Sequence, residues 1–286
     1  MPARSDSAGM NNGASIHPLA VVEPGAVVGD GASIGPFCHI GAKAVIGSDV
    51  MMISHVTILG ATTIGPRTRI FPNAVLGGPA QSTGHKGGAV TLTIGADCTI
   101  REGVTMHAGS DASTGRTVVG DGGNFLAYSH VAHDCIVGDN VTFANGATLG
   151  GHCEIGNRVN IGGMTAVHQF VRVGDHAFLG GASGIAGDVI PYGMAVGNRA
   201  KLRGFNIVGM KRSGMPRAEI HALRRAYRVL FDPRRPVLDN AEQVREDFAD
   251  SASVIMVVNF LTSRGKRHFT VPPLGGATSA DDDDAD

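Results

Sequence analysis

The sequence predicts an all-β chain with an α-helical C-terminus, in which a parallel β-helix is followed by a small helical domain. A hydrophobic repeat with a period of six residues predicts the β-helix, and its replacement by helical spacing after Pro216 predicts the helical domain. The composition agrees with this fold, because the 286 residues include 42 Gly and no Trp. A core without large aromatic anchors needs many small aliphatic side chains stacked in a regular lattice.

The repeat begins at Ile16 and places an aliphatic residue or Met at every sixth position as far as Leu76. It resumes at Ile94, and after a shift of one residue it runs from Val119 to Ile185. Neither a helix nor an alternating strand gives this spacing, whereas a hexapeptide period is the signature of a parallel β-helix. Each hexad therefore predicts one short strand and one turn, with the aliphatic side chain inward and three hexads in each coil.

Two Gly- and Ser-rich stretches, residues 77–92 and 107–118, interrupt the repeat and are predicted to be loops that leave the prism. Insertions on one face of a solenoid often form its binding surface. With these two loops, residues 14–197 are predicted to form the β-helix. The polar residues 1–13 that precede it are predicted to be a disordered extension.

Residues 198–271 are predicted to form the helical domain. Its first helix is indicated by apolar residues at three- and four-residue spacing, namely Ile220, Leu223, Tyr227 and Leu230. Asp239 or Asn240 is expected to cap a second helix, and the apolar stretch 254–261 is expected to pack on both helices. Residues 272–286 end in DDDDAD and are predicted to be a disordered acidic tail.

The formal net charge of −1 gives the whole chain no electrostatic bias toward nucleic acid or a membrane surface. No stretch is apolar enough to span a bilayer, and the N-terminus has no signal-peptide centre. A cytoplasmic location without integral membrane association is therefore expected. The four cysteines include no C-x-x-C pair and predict free buried thiols rather than a disulfide framework or zinc site: Cys38, Cys98, Cys135 and Cys153.

Histidines cluster in the second half of the repeat. His152 and His168 follow His133 by 19 and 35 residues, which are close to multiples of an 18-residue coil. The three imidazoles are therefore expected near one edge of the prism, one coil apart. Two chemistries suit them: metal binding, as in the hexapeptide-repeat carbonic anhydrases, or general-base catalysis on a substrate hydroxyl. Asp134 can orient the His133 ring and stabilise its imidazolium, as in a catalytic dyad.

Five longer motifs exceed a general hexapeptide match: SHVAHDC (129–135), ANGATLGGH (144–152), IGGMTAVHQF (161–170), GGASGIAGDVIPY (180–192) and GFNIVGMKR (204–212). Over roughly residues 14–265, the sequence resembles the UDP-N-acetylglucosamine O-acyltransferases of lipid A synthesis. The resemblance implies a left-handed coil and a cytoplasmic enzyme without metal or tightly held cofactor. That enzyme transfers a 3-hydroxyacyl group from acyl carrier protein to the 3-hydroxyl of UDP-N-acetylglucosamine. Because the flat faces of a prism hold no deep pocket, the cleft is expected between prisms of a homotrimer.

By this resemblance, His133 matches the general base that deprotonates the sugar 3-hydroxyl, and Asp134 matches its orienting partner. The backbone N–H of Gly151 matches the oxyanion donor. The remaining matches surround the substrate: His107, His130, His152, His168 and Gln169 for positioning, Asn206 and Arg212 for the nucleotide, and Gly181 as a ruler at the far end of the acyl groove. A residue without a side chain leaves that end open, so the resemblance implies a long 3-hydroxyacyl chain.

The sequence departs from the family pattern at Ser82 and Gly84 in the first loop, where an Asp and a Lys are usual. Lys86 follows two residues later. Ala108 and Ser213 each stand where the family has an Arg. The base and the oxyanion donor are unchanged, and the departures concern the sugar contacts, the nucleotide affinity and the choice between UDP-N-acetylglucosamine and its 3-amino variant.

Eleven Lys or Arg residues lie within residues 199–235, against only Glu219 and Asp232. Such a basic stretch can steer an acidic acyl carrier protein, and the alternative is a solvated helix face. Nucleic acid is not expected as a partner, because few aromatic residues for base stacking are interleaved with the cations.

Three other functions stay open on sequence grounds. The related N-acyltransferase that acts later in the same pathway would carry an extra N-terminal domain, whereas here the repeat begins at residue 16. A γ-class carbonic anhydrase would need three metal-binding histidines from neighbouring chains. A structural β-solenoid would give no reason for the His133–Asp134 pair or the Gly150–Gly151 turn.

Overall fold

The computed structural model of the protein describes residues 13–263 and 265–273. The predictions for residues 1–13 and 272–286 lie almost entirely outside these ranges. No helix in the described part of the chain is long and apolar enough to cross a membrane.

Short parallel strands stack into three sheets, which form the faces of a triangular prism. The register pairs each strand with the strand one coil later, so that Ser15 faces Ser33 and Ile16 faces Ile34. Regular coils therefore contain 18 residues, as three hexads per coil predict. Two breaks in this step correspond to the two loops.

The first sheet contains, in spatial order, β1 (Ser15–Ile16), β4 (Ser33–Ile34), β7 (Met51–Met52), β10 (Arg69–Ile70), β13 (Thr99–Ile100), β16 (Asn124–Phe125), β19 (Thr142–Phe143), β22 (Asn160–Ile161), β25 (Phe178–Leu179), β27 (Gly193–Val196) and β28 (Lys201–Phe205). The second contains β2 (Val21–Val22), β5 (His39–Ile40), β8 (Thr57–Ile58), β11 (Val75–Gly78), β14 (Thr105–His107), β17 (His130–Val131), β20 (Thr148–Leu149), β23 (Ala166–Val167) and β26 (Gly184–Ile185). The third contains β3 (Val27–Val28), β6 (Val45–Ile46), β9 (Ala61–Ile64), β12 (Thr91–Ile94), β15 (Arg116–Val119), β18 (Ile136–Val137), β21 (Glu154–Ile155) and β24 (Arg172–Val173).

Every coil turns at three corners. The first corner leads from the first sheet to the second, and the third corner leads from the third sheet back to the first. The corner between the second and third sheets carries His133 and is called the histidine corner. In successive coils of this corner Asp134, His152 and Phe170 adopt the left-handed conformation, with φ of 59°, 63° and 65°. Asp and His tolerate this region better than most residues, which suits them to these turns.

The core is a column of inward side chains, one from each strand. Ile40, Ile58 and Leu76 stack on one another in the second sheet and are fully buried. Phe125 and Phe143 fill the column in later coils, with ring centroids 4.9 Å apart. The four cysteines are free and buried, which confirms the prediction of buried thiols.

Both predicted loops leave the prism at the histidine corner, but each is shorter than predicted. Strands β11 and β12 extend into residues 77–92, and β14 and β15 extend into residues 107–118. The extra residues stay in the sheet because they have partners in adjacent coils, as Thr91 pairs with both Ala61 and Arg116. The remaining excursions are called the first loop, 79–90, and the second loop, 108–115.

The domain predicted for residues 198–271 begins with a strand, which the sequence pattern did not indicate. Strand β28 turns back and pairs antiparallel with β27, and it buries Leu202 and Phe205 against the end of the prism. In the described residues four helices follow: α1 (Ile207–Arg212), α2 (Arg217–Leu230), α3 (Val237–Asp247) and α4 (Ala252–Thr262).

The predicted cap of the second long helix was wrong. Helix α3 begins at Val237, directly after Pro236, whose fixed φ suits a helix start. Asn240 instead lies buried inside α3, where its side-chain amide donates to the Leu230 carbonyl at 3.1 Å. The amide thereby links α3 to the end of α2.

After α4 the chain returns to the prism as residues 265–273, called the return segment. The Asp188 amide donates to the His268 carbonyl at 2.8 Å, and the Thr270 amide donates to the Asp188 carbonyl at 2.8 Å. The Arg172 guanidinium donates to the buried Asp188 carboxylate at 2.8 Å. The return segment is therefore fixed beside the last coils of the histidine corner.

Candidate active site

The histidine corner brings an imidazole and a carboxylate into direct contact. His133 Nδ1 lies 2.7 Å from Asp134 Oδ2, and the Asp134 side chain is fully buried. Because an ionised carboxylate only accepts, this contact holds the imidazole proton on Nδ1 and leaves Nε2 with a free lone pair. The pair thus has the orientation that a general base requires.

Both oxygens of the Asp134 carboxylate are occupied by donors. The second loop supplies the Ser110 amide at 3.1 Å to Oδ2, and it supplies the Thr114 amide and hydroxyl at 3.1 and 2.6 Å to Oδ1. Burial alone would raise the pKa of Asp134, but the hydrogen bonds from Thr114, His133 and Ser110 outweigh burial and hold it below its ordinary value. The carboxylate therefore stays ionised beside His133.

Three more imidazoles surround this pair. The His152 ring lies edge-on to the His133 ring, with centroids 5.0 Å apart. The His107 and His130 rings meet in the same edge-on manner at 5.2 Å, and His130 Nδ1 lies 2.7 Å from the Thr105 hydroxyl. The fold therefore gathers four of the sequence-predicted histidines at one place.

These surrounding imidazoles are held neutral. Burial, together with the neighbouring His107, lowers the pKa of His130 to about 4, and burial also lowers the pKa of His107. The pKa of His152 is lowered by burial, and His133 and Lys266 add to this effect against the opposing charge of Asp134. In the described part of the chain, the buried Nδ1 of His107 has no hydrogen-bond partner.

Gly151 lies one coil above His133 and is buried against its ring. A Cβ at this position would lie 2.7 Å from His133 Cε1 and 2.8 Å from Nε2, so any side chain would displace the imidazole. Its amide donates no hydrogen bond to another described residue, whereas its carbonyl accepts from the Phe170 amide. A free donor therefore lies beside the candidate base.

His168 and Gln169 lie on the same corner, one coil above Gly150 and Gly151. They do not contact His133. Their partner is Arg267 of the return segment, which donates from Nε to the Gln169 carbonyl at 2.9 Å and from a terminal nitrogen to His168 Nδ1 at 2.6 Å.

Asn206 and Arg212 lie elsewhere, beside the third corner. Asn206 caps α1 by accepting from the Gly209 amide at 3.0 Å, and it donates to the His176 carbonyl at 3.3 Å. Arg212 is exposed at the end of α1. Within one chain these residues and His133 occupy different corners of the prism.

Gly181 lies at the first corner, on the opposite edge of the second sheet from His133. The left-handed residue of its turn is Ala182, with φ of 53°, and Gly181 itself has no positive φ. Gly181 is exposed, and a Cβ there would approach only the backbone of Gly163, with the carbonyl oxygen at 3.3 Å and the nitrogen at 3.8 Å. The backbone therefore does not require glycine at this position.

One potential metal-ligand atom from each of His133, Asp134 and His152 lies within 4.8 Å of the other two, which is the spacing that a metal site would need. The hydrogen bonds argue against it. Asp134 accepts hydrogen bonds from Ser110, Thr114 and His133. These bonds use the lone pairs of both carboxylate oxygens and leave none for a cation. His152 Nδ1 lies 3.3 Å from the Ser113 hydroxyl and 4.0 Å from Asp134 Oδ2.

Sequence reasoning missed several residues of this corner. Phe170 stacks on His152 with centroids 4.4 Å apart, and the 18-residue spacing between them is a signal that could have found it. Lys266 lies 4.4 Å over the Phe170 ring. No local pattern predicted that Lys266 and Arg267 would return to the prism, because that contact depends on how the helices pack.

Comparison with known proteins decides the family. A family model described as UDP-N-acetylglucosamine O-acyltransferase, domain 2, matches residues 188–270, and a bacterial transferase hexapeptide model matches residues 8–42 and 116–151. An acyl-[acyl-carrier-protein]–UDP-N-acetylglucosamine O-acyltransferase of Mesorhizobium japonicum is 63% identical over 219 residues, which cover 77% of this chain and 78% of the relative. The chain belongs to this O-acyltransferase family.

Solved structures of the family agree. The crystal structure of a UDP-N-acetylglucosamine acyltransferase superposes with a TM-score of 0.87 at 37% identity and covers 91% of this chain and 99% of its own. The enzyme from Campylobacter jejuni gives 0.85 at 37% identity, covering 91% of this chain and 100% of its own. These matches confirm the left-handed parallel β-helix with a helical C-terminal region, and the chain is an O-acyltransferase.

Proposed function

We propose that this O-acyltransferase transfers a 3-hydroxyacyl group from acyl carrier protein to the 3-hydroxyl of UDP-N-acetylglucosamine, the first step of lipid A synthesis. The names of its relatives support the two substrates. The observation that carries the mechanism is the 2.7 Å contact between His133 Nδ1 and the saturated Asp134 carboxylate. This contact leaves one ring nitrogen, Nε2, ready to accept a proton.

In the proposed reaction His133 Nε2 takes the proton of the sugar 3-hydroxyl as its oxygen attacks the thioester carbonyl carbon. The new C–O bond produces a tetrahedral oxyanion, to which the Gly151 amide donates. The carbonyl re-forms, the C–S bond breaks, and the thiolate of the carrier's prosthetic arm leaves and takes the proton from His133. Asp134 stabilises the imidazolium while that proton is held.

The neutral imidazoles position the substrates by hydrogen bonds rather than by charge. His107 and His130 lie beside the base, with their rings edge-on to each other. Keeping these rings neutral avoids a second positive charge next to His133 when it becomes protonated.

The outer face of the second sheet provides a path for the acyl chain. Above His130 the outward positions of successive strands are Thr148, Ala166 and Gly184, whose side chains become smaller coil by coil. Gly181 borders this face between two and three coils beyond His133, about 13 Å along the axis for a strand spacing of about 4.8 Å. A long acyl chain can bridge this span and end at Gly181.

The nucleotide contacts of Asn206 and Arg212 are proposed to come from a neighbouring protomer, because these residues lie at the third corner and not at the histidine corner. In the proposed trimer of flat-faced prisms, one protomer's third corner would lie near its neighbour's histidine corner. The homotrimer is therefore part of this proposal, as is docking of acyl carrier protein on the basic surface of residues 199–235.

Purified protein incubated with UDP-N-acetylglucosamine and a chain-length series of 3-hydroxyacyl carrier proteins tests the proposal, with products read by mass. We expect one acyl group added to the sugar, removable by mild base as an ester. The 3-amino sugar nucleotide, run in parallel, would give a base-stable amide instead. No acyl transfer to either sugar nucleotide from any carrier would reject the proposed substrates.

A further inference from the structure

The return segment brings two cations to the histidine corner that the proposed mechanism does not use. Lys266 lies over Phe170, which in turn stacks on His152. Arg267 is half-buried and bonded to His168 and Gln169. Backbone bonds between Asp188 and the return segment fix the position of both cations.

The Arg267 guanidinium is held but not saturated. It carries five N–H donors, of which one reaches the Gln169 carbonyl and one reaches His168 Nδ1. The other three have no acceptor among the described residues. Because a guanidinium can only donate, His168 Nδ1 accepts, and the proton of that ring lies on Nε2. Arg267 and His168 together therefore offer several fixed donors to an anion.

A cleft of about 540 Å³ adjoins His168, and its small apolar lining, which includes Ala166 and Gly184, belongs to the proposed acyl path. His168, Arg199, Lys201 and His268 contribute to its lining, and no carboxylate of the described residues lines it. Arg267 does not line the cleft itself, but it is bonded to His168, which does, and a guanidinium fork binds a phosphate group through two parallel hydrogen bonds. The positive field of the cleft is local, since the whole chain has a net charge of −1.

The distance from the base selects which phosphate fits. Gln169 lies two coils above His133, about 10 Å along the corner for a strand spacing of about 4.8 Å. In a nucleotide sugar the diphosphate lies across one pyranose ring from the 3-hydroxyl. This span matches the separation along the corner when the side chains of His133 and Arg267 extend toward the sugar from its two ends. The phosphate of the carrier's prosthetic arm lies a whole pantetheine length from the thioester and fits less well.

We propose that Arg267, supported by His168 and Gln169, binds the diphosphate of the nucleotide sugar. This inference rests on the proposed function and adds a subsite to it. Ser213, which stands where the family has a second Arg, instead bonds the Met210 carbonyl at 2.8 Å at the end of α1. Arg267 supplies the second cation from another part of the chain.

The test compares Arg267→Met, Arg267→Lys and the control Lys43→Met in steady-state kinetics with both substrates varied. Lys43 is an exposed cation on the histidine corner several coils below the site. We expect Arg267→Met to raise KM for UDP-N-acetylglucosamine about 10- to 100-fold, the range for loss of a charged hydrogen bond. Arg267→Lys should give a smaller rise, and Lys43→Met should give none. KM for the acyl carrier protein should stay constant.

Calorimetric titration with UDP alone separates this inference from the proposed reaction. Weaker UDP binding by Arg267→Met, relative to wild type and Lys43→Met, supports the subsite whichever acyl acceptor is correct. Unchanged UDP affinity and KM in a folded Arg267→Met protein would overturn it and leave Arg267 as an anchor of the return segment. A rise confined to KM for the carrier protein would overturn it in favour of the prosthetic-arm phosphate.

Discussion

At the scale of single residues, the candidate site depends on one buried carboxylate. Asp134 takes donors from the second loop on both oxygens and leaves one position for His133. Its full burial keeps water from competing for that position. The loop thus determines the orientation of the imidazole, although it contributes no side chain to the chemistry.

Replacing His133 by Ala should lower kcat by about 10²- to 10⁴-fold, the usual contribution of a general base. Asp134→Asn should have a smaller effect, because the base remains while its orientation weakens. Rapid-quench or steady-state assays measure both, and the melting temperature serves as the folding control. Unchanged kcat in a folded His133→Ala protein would remove His133 from the mechanism.

Gly151→Ala tests the close approach of the backbone to the base. The new methyl carbon would lie 2.7 Å from His133 Cε1, so the ring must move away from its position. We expect a kcat at least tenfold lower, because misplacement of a catalytic group is costly, with a melting temperature close to that of wild type. Wild-type kcat in this variant would contradict the close contact between residue 151 and the His133 ring.

At the scale of elements, the sequence predicted the repeating strands of the sheets better than it predicted where individual strands begin or how the first sheet ends. One apolar residue per hexad predicted every core column, because burial of that side chain repeats with the backbone. Strand β12 was missed at its start, since Thr91 belongs to the sheet through pairing and not through hydrophobicity. Strand β28 was missed for a similar reason, because an antiparallel return has no hexapeptide signal.

The residues of the candidate site also fall into two groups, those that the sequence pattern predicts and those that only tertiary packing brings together. His133 and His152 share a corner because their spacing follows the coil length, which the sequence displays. Arg267 reaches that corner through the packing of α2, α3 and α4, which no local pattern encodes. Asn206 was matched to the nucleotide, but its side chain also caps α1, a role that spacing alone does not reveal.

The basic residues of helix α2 allow the proposed docking of acyl carrier protein to be tested. Arg224 is half-buried and Arg225 lies 5.3 Å over the Phe248 ring, so changes there would also disturb packing. Arg217 and Arg228 are exposed on one face of α2. Charge reversal at both should raise KM for acyl carrier protein and weaken its salt dependence, with little change for the sugar nucleotide. Lys43→Glu is the control, and equal effects on both substrates would exclude this docking face.

A substitution at Gly181 tests whether this position sets the preferred length of the acyl chain. The Gly181→Met side chain can enter open space at the first corner, because the backbone there does not require glycine. We expect kcat/KM to shift toward chains several carbons shorter, since overfilling a rigid groove costs about 1–3 kcal/mol. A chain-length series for both proteins measures the shift. The same optimum in a folded variant would place the end of the groove elsewhere.

At the scale of the whole molecule, the proposed active site is shared between protomers. His133 and Arg212 occupy different corners, so a site that uses both must draw them from two chains. Mixed trimers of His133→Ala and Arg212→Ala should therefore regain activity at low UDP-N-acetylglucosamine, with about one interface in four intact by random assortment. Activity no higher than the average of the two parent variants would show that each chain acts alone.

The two ends of the prism are not equivalent. Strand β28, the helices and the return segment close the C-terminal end, whereas among the described residues β1 has a neighbour on one side only. In a solenoid each coil contacts only adjacent coils, so unravelling can begin at the open end and proceed stepwise. Three strands of the second sheet, β2, β5 and β8, precede the coil that carries the first loop, and their coils contribute no residue to the candidate site. These N-terminal coils can therefore open while the active site in the later coils keeps its structure.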